Sequence, residues 1–266
     1  MVPPATDGRI AIEAKQLVKR FGVVRAVDGV SFQVRRGEIV GFLGANGAGK
    51  TTTLRMLCGL ITPTSGTALI DGIDIFGEPL QAKAKLGYLD EEPFVHTHLT
   101  GREFLDYIAD LYRMPRGPER QQRMERLLGL FELADRNGEL IGAYSHGMRQ
   151  KIGLASLLIR EPSVLLLDEP TNGLDPRSAR LVKDLLEELA ARGITVLLST
   201  HILEVAQALC SRVAIIDRGH IVATGTIEEL RTQAGSEKAS LEDLFLKLTA
   251  GPESKELIER LLAPKP

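Results

Sequence analysis

The segment Gly44-Ala45-Asn46-Gly47-Ala48-Gly49-Lys50-Thr51 fits the spacing G-x-x-x-x-G-K-[ST]. Residues of these types in this order cradle phosphate. Glycines carry no Cβ, so successive backbone N–H groups can converge on one anion. A helix opening at the end of the loop adds unpaired N–H groups and its positive dipole end. Lys50 would reach the β- and γ-phosphates of a nucleotide, and the Thr51 hydroxyl would hold Mg²⁺. The adjacent acids Asp168 and Glu169 close the apolar run Val164-Leu165-Leu166-Leu167. Asp168 suits a water-mediated Mg²⁺ ligand, and Glu169 suits a general base that polarises an attacking water. In Tyr144-Ser145-His146-Gly147-Met148-Arg149-Gln150-Lys151, Ser145 and Gly147 sit where a helix opens, a second anion-binding arrangement. Taken singly, the alternatives are a glycine turn without a ligand, a strand ending in solvated acids and a bare helix start. A phosphate loop together with a strand ending in carboxylates points to a nucleoside triphosphatase.

The elements that must position these groups are legible around them. Ile39 to Leu43 is a short apolar run suited to a buried strand, and Thr51 to Leu57 reads as a helix ending near Gly59. Strand patterning over Ile10 to Ala14, Val24 to Val27, Val30 to Val34 and Thr67 to Ile70 predicts a small antiparallel sheet beside the loop strand. Asp71-Gly72 supplies a turn. Residues of about 92–160 read as helices. Thr100 caps the first, with Phe104, Leu105, Ile108, Leu111 and Tyr112 on one face, and Pro115-Arg116-Gly117-Pro118 breaks it. The next carries Leu127, Leu128, Phe131 and Leu133. A third, after Gly147, carries Ile152, Leu154, Ala155, Leu158 and Ile159. Strands at Val164 to Asp168, Ile194 to Ser199 and Val213 to Asp217 alternate with a helix striped by Leu181, Val182, Leu185, Leu186 and Leu189, which argues for a parallel sheet flanked by helices. A buried strand of such a sheet is apolar on both faces, so acids at its carboxyl end face the ligand crevice. The predicted fold class is α/β: a P-loop NTPase core with a mostly parallel sheet, an N-terminal antiparallel β subdomain and an inserted α-helical subdomain. The expected boundaries are an extension over 1–9, an ATPase domain over 10–235 and a helical tail over 236–266, in which Leu241, Leu244, Phe245 and Leu248 fall at helical spacing.

Bulk composition narrows the function. The 266 residues carry a net charge of −2, 5% aromatic residues and no Trp, so neither a basic field nor a base-stacking surface argues for nucleic acid. Cys58 and Cys210 match no metal spacing and sit in apolar segments, as buried thiols in a reducing compartment do. No apolar run approaches the ~20 residues that span a bilayer. The start Met1 to Asp7 has neither a basic region nor an apolar core of the signal-peptide kind. The expected location is cytoplasmic, with any membrane association made through a partner.

The order of the motifs resembles the ATP-binding cassette (ABC) family from about residue 10 to about 230. Thr171-Asn172-Gly173-Leu174-Asp175-Pro176 directly follows the carboxylate strand, and Thr200-His201 ends the next one. The resemblance implies that Gly44 to Thr52 form the Walker A loop, with Thr51 as metal ligand. It makes Asp168 the Walker B residue and Glu169 the catalytic glutamate. Phe21, in Val18-Lys19-Arg20-Phe21-Gly22, matches the aromatic that stacks on adenine. His201 matches the switch histidine at the γ-phosphate. Asp175 matches the aspartate that links the two sites of a dimer. Ser145 and Gly147 match the signature motif, which in the family faces the nucleotide of the opposite subunit. Two copies, or this chain and a close relative, would therefore close head to tail over ATP and Mg²⁺.

Three positions depart from the family pattern. Glu91 stands where Gln is usual, His146 replaces the first glycine of Ser-Gly-Gly, and Met148 replaces Gln. Glu91 accepts from a metal-bound water but cannot donate as an amide does. With Lys50, Asp168, Glu169 and His201 intact, the expectation is hydrolysis. Tyr144 to Gln150, the acidic Asp90-Glu91-Glu92 and the tail Leu241 to Leu248 resemble ATPase subunits of ABC-2 exporters. The implied partner is an integral membrane permease, which would hold the chain at the inner face of the membrane. Two other readings stay open: a soluble ABC ATPase of cofactor assembly, DNA or ribosome processes, and a module that binds ATP without turnover.

Overall fold

A computed structural model describes residues 8–249 apart from 137, 234 and 236–238; most of the expected extension over 1–9 and the tail beyond 249 lie outside the described residues. Two long strands come first, β1 (Ile10–Phe21) and β2 (Val24–Arg35). β3 (Ile39–Leu43) runs through the glycine loop into α1 (Lys50–Leu57). β4 (Ser65–Ile70), β5 (Ile73–Asp74), α2 (Pro79–Lys85) and β6 (Leu86–Leu89) follow. The helices α3 (Gly101–Leu111), α4 (Pro118–Leu130) and α5 (His146–Leu158) precede β7 (Val164–Asp168). Next come α6 (Pro176–Ala191), β8 (Thr195–Thr200), α7 (Leu203–Leu209), β9 (Arg212–Asp217), β10 (His220–Gly225), α8 (Ile227–Gln233) and α9 (Leu241–Leu248).

Two sheets organise these elements. One is antiparallel, in the order β2-β1-β4-β5. The other runs β10-β9-β3-β8-β7-β6, parallel throughout except for the edge strand β10. Every residue of β3, β7 and β8 is buried, as strands covered on both faces must be. Alternate residues serve opposite layers. Leu165 and Leu167 face the core shared with the helical block, while Val164 and Leu166 face the core shared with the antiparallel sheet. The order β3-β8-β7 places three carboxyl ends side by side, and each carries one of the candidate motifs.

Several expectations need correction. The three strands expected between residues 10 and 34 are two, each 12 residues long. Register shifts around Ala14, Leu17 and Lys19, with Gln16 at φ 48, interrupt the alternation that would have revealed one continuous strand. α3 buries Phe104, Leu105 and Ala109, whereas Leu111 and Tyr112 are exposed. The Thr100–Glu103 capping box starts this helix. It stops at Tyr112, before the prolines, because Arg113 turns left-handed at φ 54. α5 begins at His146, one residue ahead of Gly147, since Ser145 caps it. β5, β6, β10 and the short helices α2, α7 and α8 are additions to the elements that the patterning predicts. The expected tail helix is α9, started by a Ser240–Asp243 capping box, with Leu241 and Leu244 buried. Cys58 and Cys210 are buried free thiols, and burial pushes both up to about 12.

Candidate functional site

The glycine loop fits only because its backbone passes close to neighbouring strands. A Cβ on Gly44 would stand 2.6 Å from the carbonyl oxygen of Ile216. Gly49 has φ +110, and a Cβ there would stand 2.6 Å from the carbonyl oxygen of Ala26. Lys50, the first residue of α1, is 7% exposed. Its Nζ donates to the carbonyl oxygens of Gly44 (2.7 Å) and Ala45 (3.3 Å), and lies 4.0 Å from Glu169 Oε1. Burial pulls the lysine pKa down, and the charges of Glu169, Asp168 and Glu91 push it back up.

The acids stand opposite, at the end of β7. In the paired strands Asp168 lies beside Ser199, whose hydroxyl donates to Asp168 Oδ1. Asp168 is 1% exposed, and its Oδ2 is buried without a partner. Glu169 adopts φ 46, a backbone conformation that costs a non-glycine residue energy and is common where side chains must be aimed. Its N–H donates to the backbone carbonyl of Ser199 at 3.1 Å and lies 3.3 Å from the Ser199 hydroxyl. That geometry fixes the direction of the carboxylate. Glu169 Oε1 sits 2.8 Å from His201 Nδ1, so the imidazole can donate to it while the rest of the ring stays exposed. Glu91 Oε1 accepts from Asn172 Nδ2 at 3.1 Å.

These groups enclose a cavity of about 300 Å³. The loop contributes Ala45, Asn46, Gly47 and Gly49; the helix start contributes Lys50, Thr51 and Thr52; the far wall is Glu91, Glu169 and His201; Ala26 closes one side. Gly44 and Ala48 belong to the loop but not to the cavity wall, and Ala48 is buried. Three carboxylates surround a single buried lysine, so a phosphate chain bound here would need a further cation. Among the described residues no group of three or more His, Cys, Asp or Glu could hold a metal on its own. The Thr51 hydroxyl, the unpartnered Asp168 Oδ2 and Glu91 fit a small hard cation that keeps waters and phosphate oxygens in its shell.

Besides Gly44 and Ala48, four further expected binding residues, Phe21, Ser145, Gly147 and Asp175, do not line this cavity. Phe21 lies half exposed at the tip of the β1–β2 hairpin, with Lys19 Nζ 5.1 Å from its ring centroid. Ser145 is exposed and accepts from Met148 N–H at 3.3 Å. Gly147 packs on the Gly173-Leu174 turn. Asp175 caps α6, accepting from Arg177 and Ser178 N–H at 3.0 Å each, and the Ser178 hydroxyl bond holds its carboxyl below the usual range. Ala26, Asn172 and Ser199 join the site although the sequence assigns them no role in it. Ser199 carried a signal, as a buried polar residue directly after the apolar run Val196-Leu197-Leu198.

The model for "ABC transporter" matches residues 27–172. The "Probable multidrug ABC transporter ATP-binding protein YbhF" of Escherichia coli (strain K12) is 36% identical over 246 residues, 91% of this chain and 42% of that protein. The chain thus spans less than half of that relative's length. The "Daunorubicin resistance ATP-binding protein DrrA3" of Streptomyces coeruleorubidus is 39% identical over 87% of this chain and 72% of its own. The "ABC transporter ATP-binding protein NatA" of Bacillus subtilis (strain 168) is 39% identical over 81% and 87%. A solved "ATP binding subunit of ABC transporter" superposes with a TM-score of 0.85 at 34% identity, covering 90% of this chain and 99% of that one. A dimeric ATP-binding cassette in a post-hydrolysis state with ADP and Pi superposes at 0.75 and 26% identity, covering 81% and 98%.

Proposed function

The chain belongs to the ABC transporter family, and we propose that it binds and hydrolyses ATP as the motor subunit of an ABC-2-type exporter. The observation that carries this reading is the convergence of Lys50, Glu169 and His201 on one phosphate-sized cavity at the ends of three adjacent strands. The loop N–H groups and Lys50 hold the β- and γ-phosphates. Glu169 takes a proton from the attacking water, whose oxygen bonds to the γ-phosphorus as the bond to the bridging oxygen of ADP breaks. His201, bonded to Glu169 through Nδ1, keeps the carboxylate aimed and leaves its other ring nitrogen for a γ-phosphate oxygen. Thr51, Asp168 and Glu91 would hold Mg²⁺, which would supply charge neutralisation of the phosphates.

Ser145, Gly147 and Asp175 stand away from this cavity, which is what a site completed by a second subunit requires. Phe21 stacks on adenine at the hairpin tip. ATP-driven closure of two subunits then moves a membrane permease, which holds the chain at the inner face of the membrane. No described helix is long and apolar enough to cross a membrane. Residues 10–235 are the motor, with the helical block as its arm toward the permease, and 236–266 form a tail.

Glu169→Gln tests the assignment. It should keep ATP binding, trap a closed dimer and lower turnover ~10²-fold or more. Turnover at the parent rate would remove Glu169 as the base. Failure to co-purify with any integral membrane protein would remove the transport role.

A further inference from the structure

The turn holding Ser145 and Gly147 and the turn running from Gly173 to Asp175 are packed as one piece. A Cβ on Gly173 would stand 2.2 Å from Cδ2 of His146, and a Cβ on Gly147 would stand 3.1 Å from the Gly173 carbonyl oxygen. Glu132 braces the same pair of turns through the helices behind them. Its Oε2 lies 3.5 Å from Lys151 Nζ on α5, and its Oε1 lies 2.7 Å from Arg177 Nη2 on α6. The lysine end of this bridge is shielded, at 11% side-chain exposure, whereas Arg177 is 84% exposed.

The backbone at Glu132 makes the choice of residue informative. Glu132 has φ 58 and ends α4, where its N–H donates to the Gly129 carbonyl (3.1 Å) and the Leu133 N–H to the Leu128 carbonyl (2.8 Å). A left-handed position closing a helix in this way favours glycine. The chain places a glutamate there, at a cost to the fold, and the carboxylate spans two helices.

We infer that Glu132 is a positioning residue that locks the Ser145–Gly147 turn to the Asp175 turn. Both faces then meet the second subunit's nucleotide as a single rigid unit. Ordering them beforehand lowers the conformational cost of closure. This inference rests on the composite-site reading above. It adds that the helical block and α6 are coupled through one side chain.

The test uses the full chain carrying Glu169→Gln as reference, with ATP-driven dimerisation followed by sedimentation. Adding Glu132→Gly should weaken dimerisation about fivefold. Affinity of the monomer for a fluorescent ATP analogue should stay within about twofold, because Glu132 lies outside the phosphate cavity. The melting temperature should hold or rise, because glycine relieves the left-handed backbone. Glu132→Gln should weaken dimerisation to a similar extent, and adding Arg177→Gln to it should cost little more. Dimerisation equal to the reference would overturn the inference, as would a loss matched by a fall in melting temperature. If the reference itself stays monomeric with ATP bound, the composite-site reading fails first, and the clasp with it.

Discussion

Replacing Ser199 by alanine removes one hydroxyl from the centre of the site. That hydroxyl donates to Asp168 Oδ1 and lies 3.3 Å from the N–H of Glu169. Ser199 is fully buried and Asp168 is 1% exposed, so water cannot replace the lost donor. Asp168 Oδ2 already lacks a partner among the described residues, so the variant leaves both carboxylate oxygens unpaired. A hydrogen bond to a charged group contributes ~1.5–3 kcal/mol. The expected loss of about 2 kcal/mol corresponds to a melting temperature lower by roughly 4–8 °C. ATP turnover should fall about tenfold, because the hydroxyl also helps hold the backbone that aims Glu169. Calorimetry and a phosphate-release assay measure the two effects. Asp168→Asn combined with Ser199→Ala should cost clearly less than the sum of the single changes. Melting within about 1 °C of the parent, or strict additivity in the double variant, would refute the coupling.

Two further predictions test other parts of the molecule. Gly49→Ala places a Cβ 2.6 Å from the Ala26 carbonyl at φ +110, so it should cost ~2–3 kcal/mol and abolish ATP binding; an alanine variant that melts and binds like the parent would contradict the close-approach argument. In the helical block, hydrogen bonds from Arg116 and then Arg120 hold the Asp110 carboxyl down to about 2, from an ordinary 3.8. Because its folded-state value is depressed, this contribution is fully present above about pH 4 and is lost as pH falls from about 4 toward 2. Asp110→Asn should flatten that limb of an acid titration followed by circular dichroism, and an unchanged limb would show that the pairing does not stabilise the block.

How much of the fold was legible depended on how local its signals were. β3, β7 and β8 are runs of apolar residues buried on both faces, and such runs announce themselves. Thr100 marked the start of α3 for the same reason, since the N–H it caps lies only three residues on. β1 was truncated because its bulges break the period of two. β6 is only four residues long, and β10 alternates between exposed and half-buried positions at a sheet edge. Neither carries enough periodicity to stand out from a loop. Leu111 and Tyr112 fell on the expected apolar face of α3 yet are exposed, because helical spacing names a stripe but not where the neighbouring helix stops covering it.

The chemistry of the site is a property of short segments. Lys50 opens a helix directly after Gly49, a loop position that only glycine fits, and Asp168 and Glu169 close a strand that must be buried; neighbouring residues determine both. The distances between these segments are not local. The sheet order β3-β8-β7 brings Lys50 within 4.0 Å of Glu169 and His201 within 2.8 Å of it. That order follows from which strand faces find cover on both sides, and residues more than a hundred positions apart settle it together. The same packing sets Ser199 beneath Asp168 and Glu132 between α5 and α6. It also leaves Ser145, Gly147 and Asp175 outside the cavity lining. The sequence by itself determined which side chains can bind and cleave a phosphate chain. Tertiary structure decided which of them share one cavity within a single chain and which stand outside it.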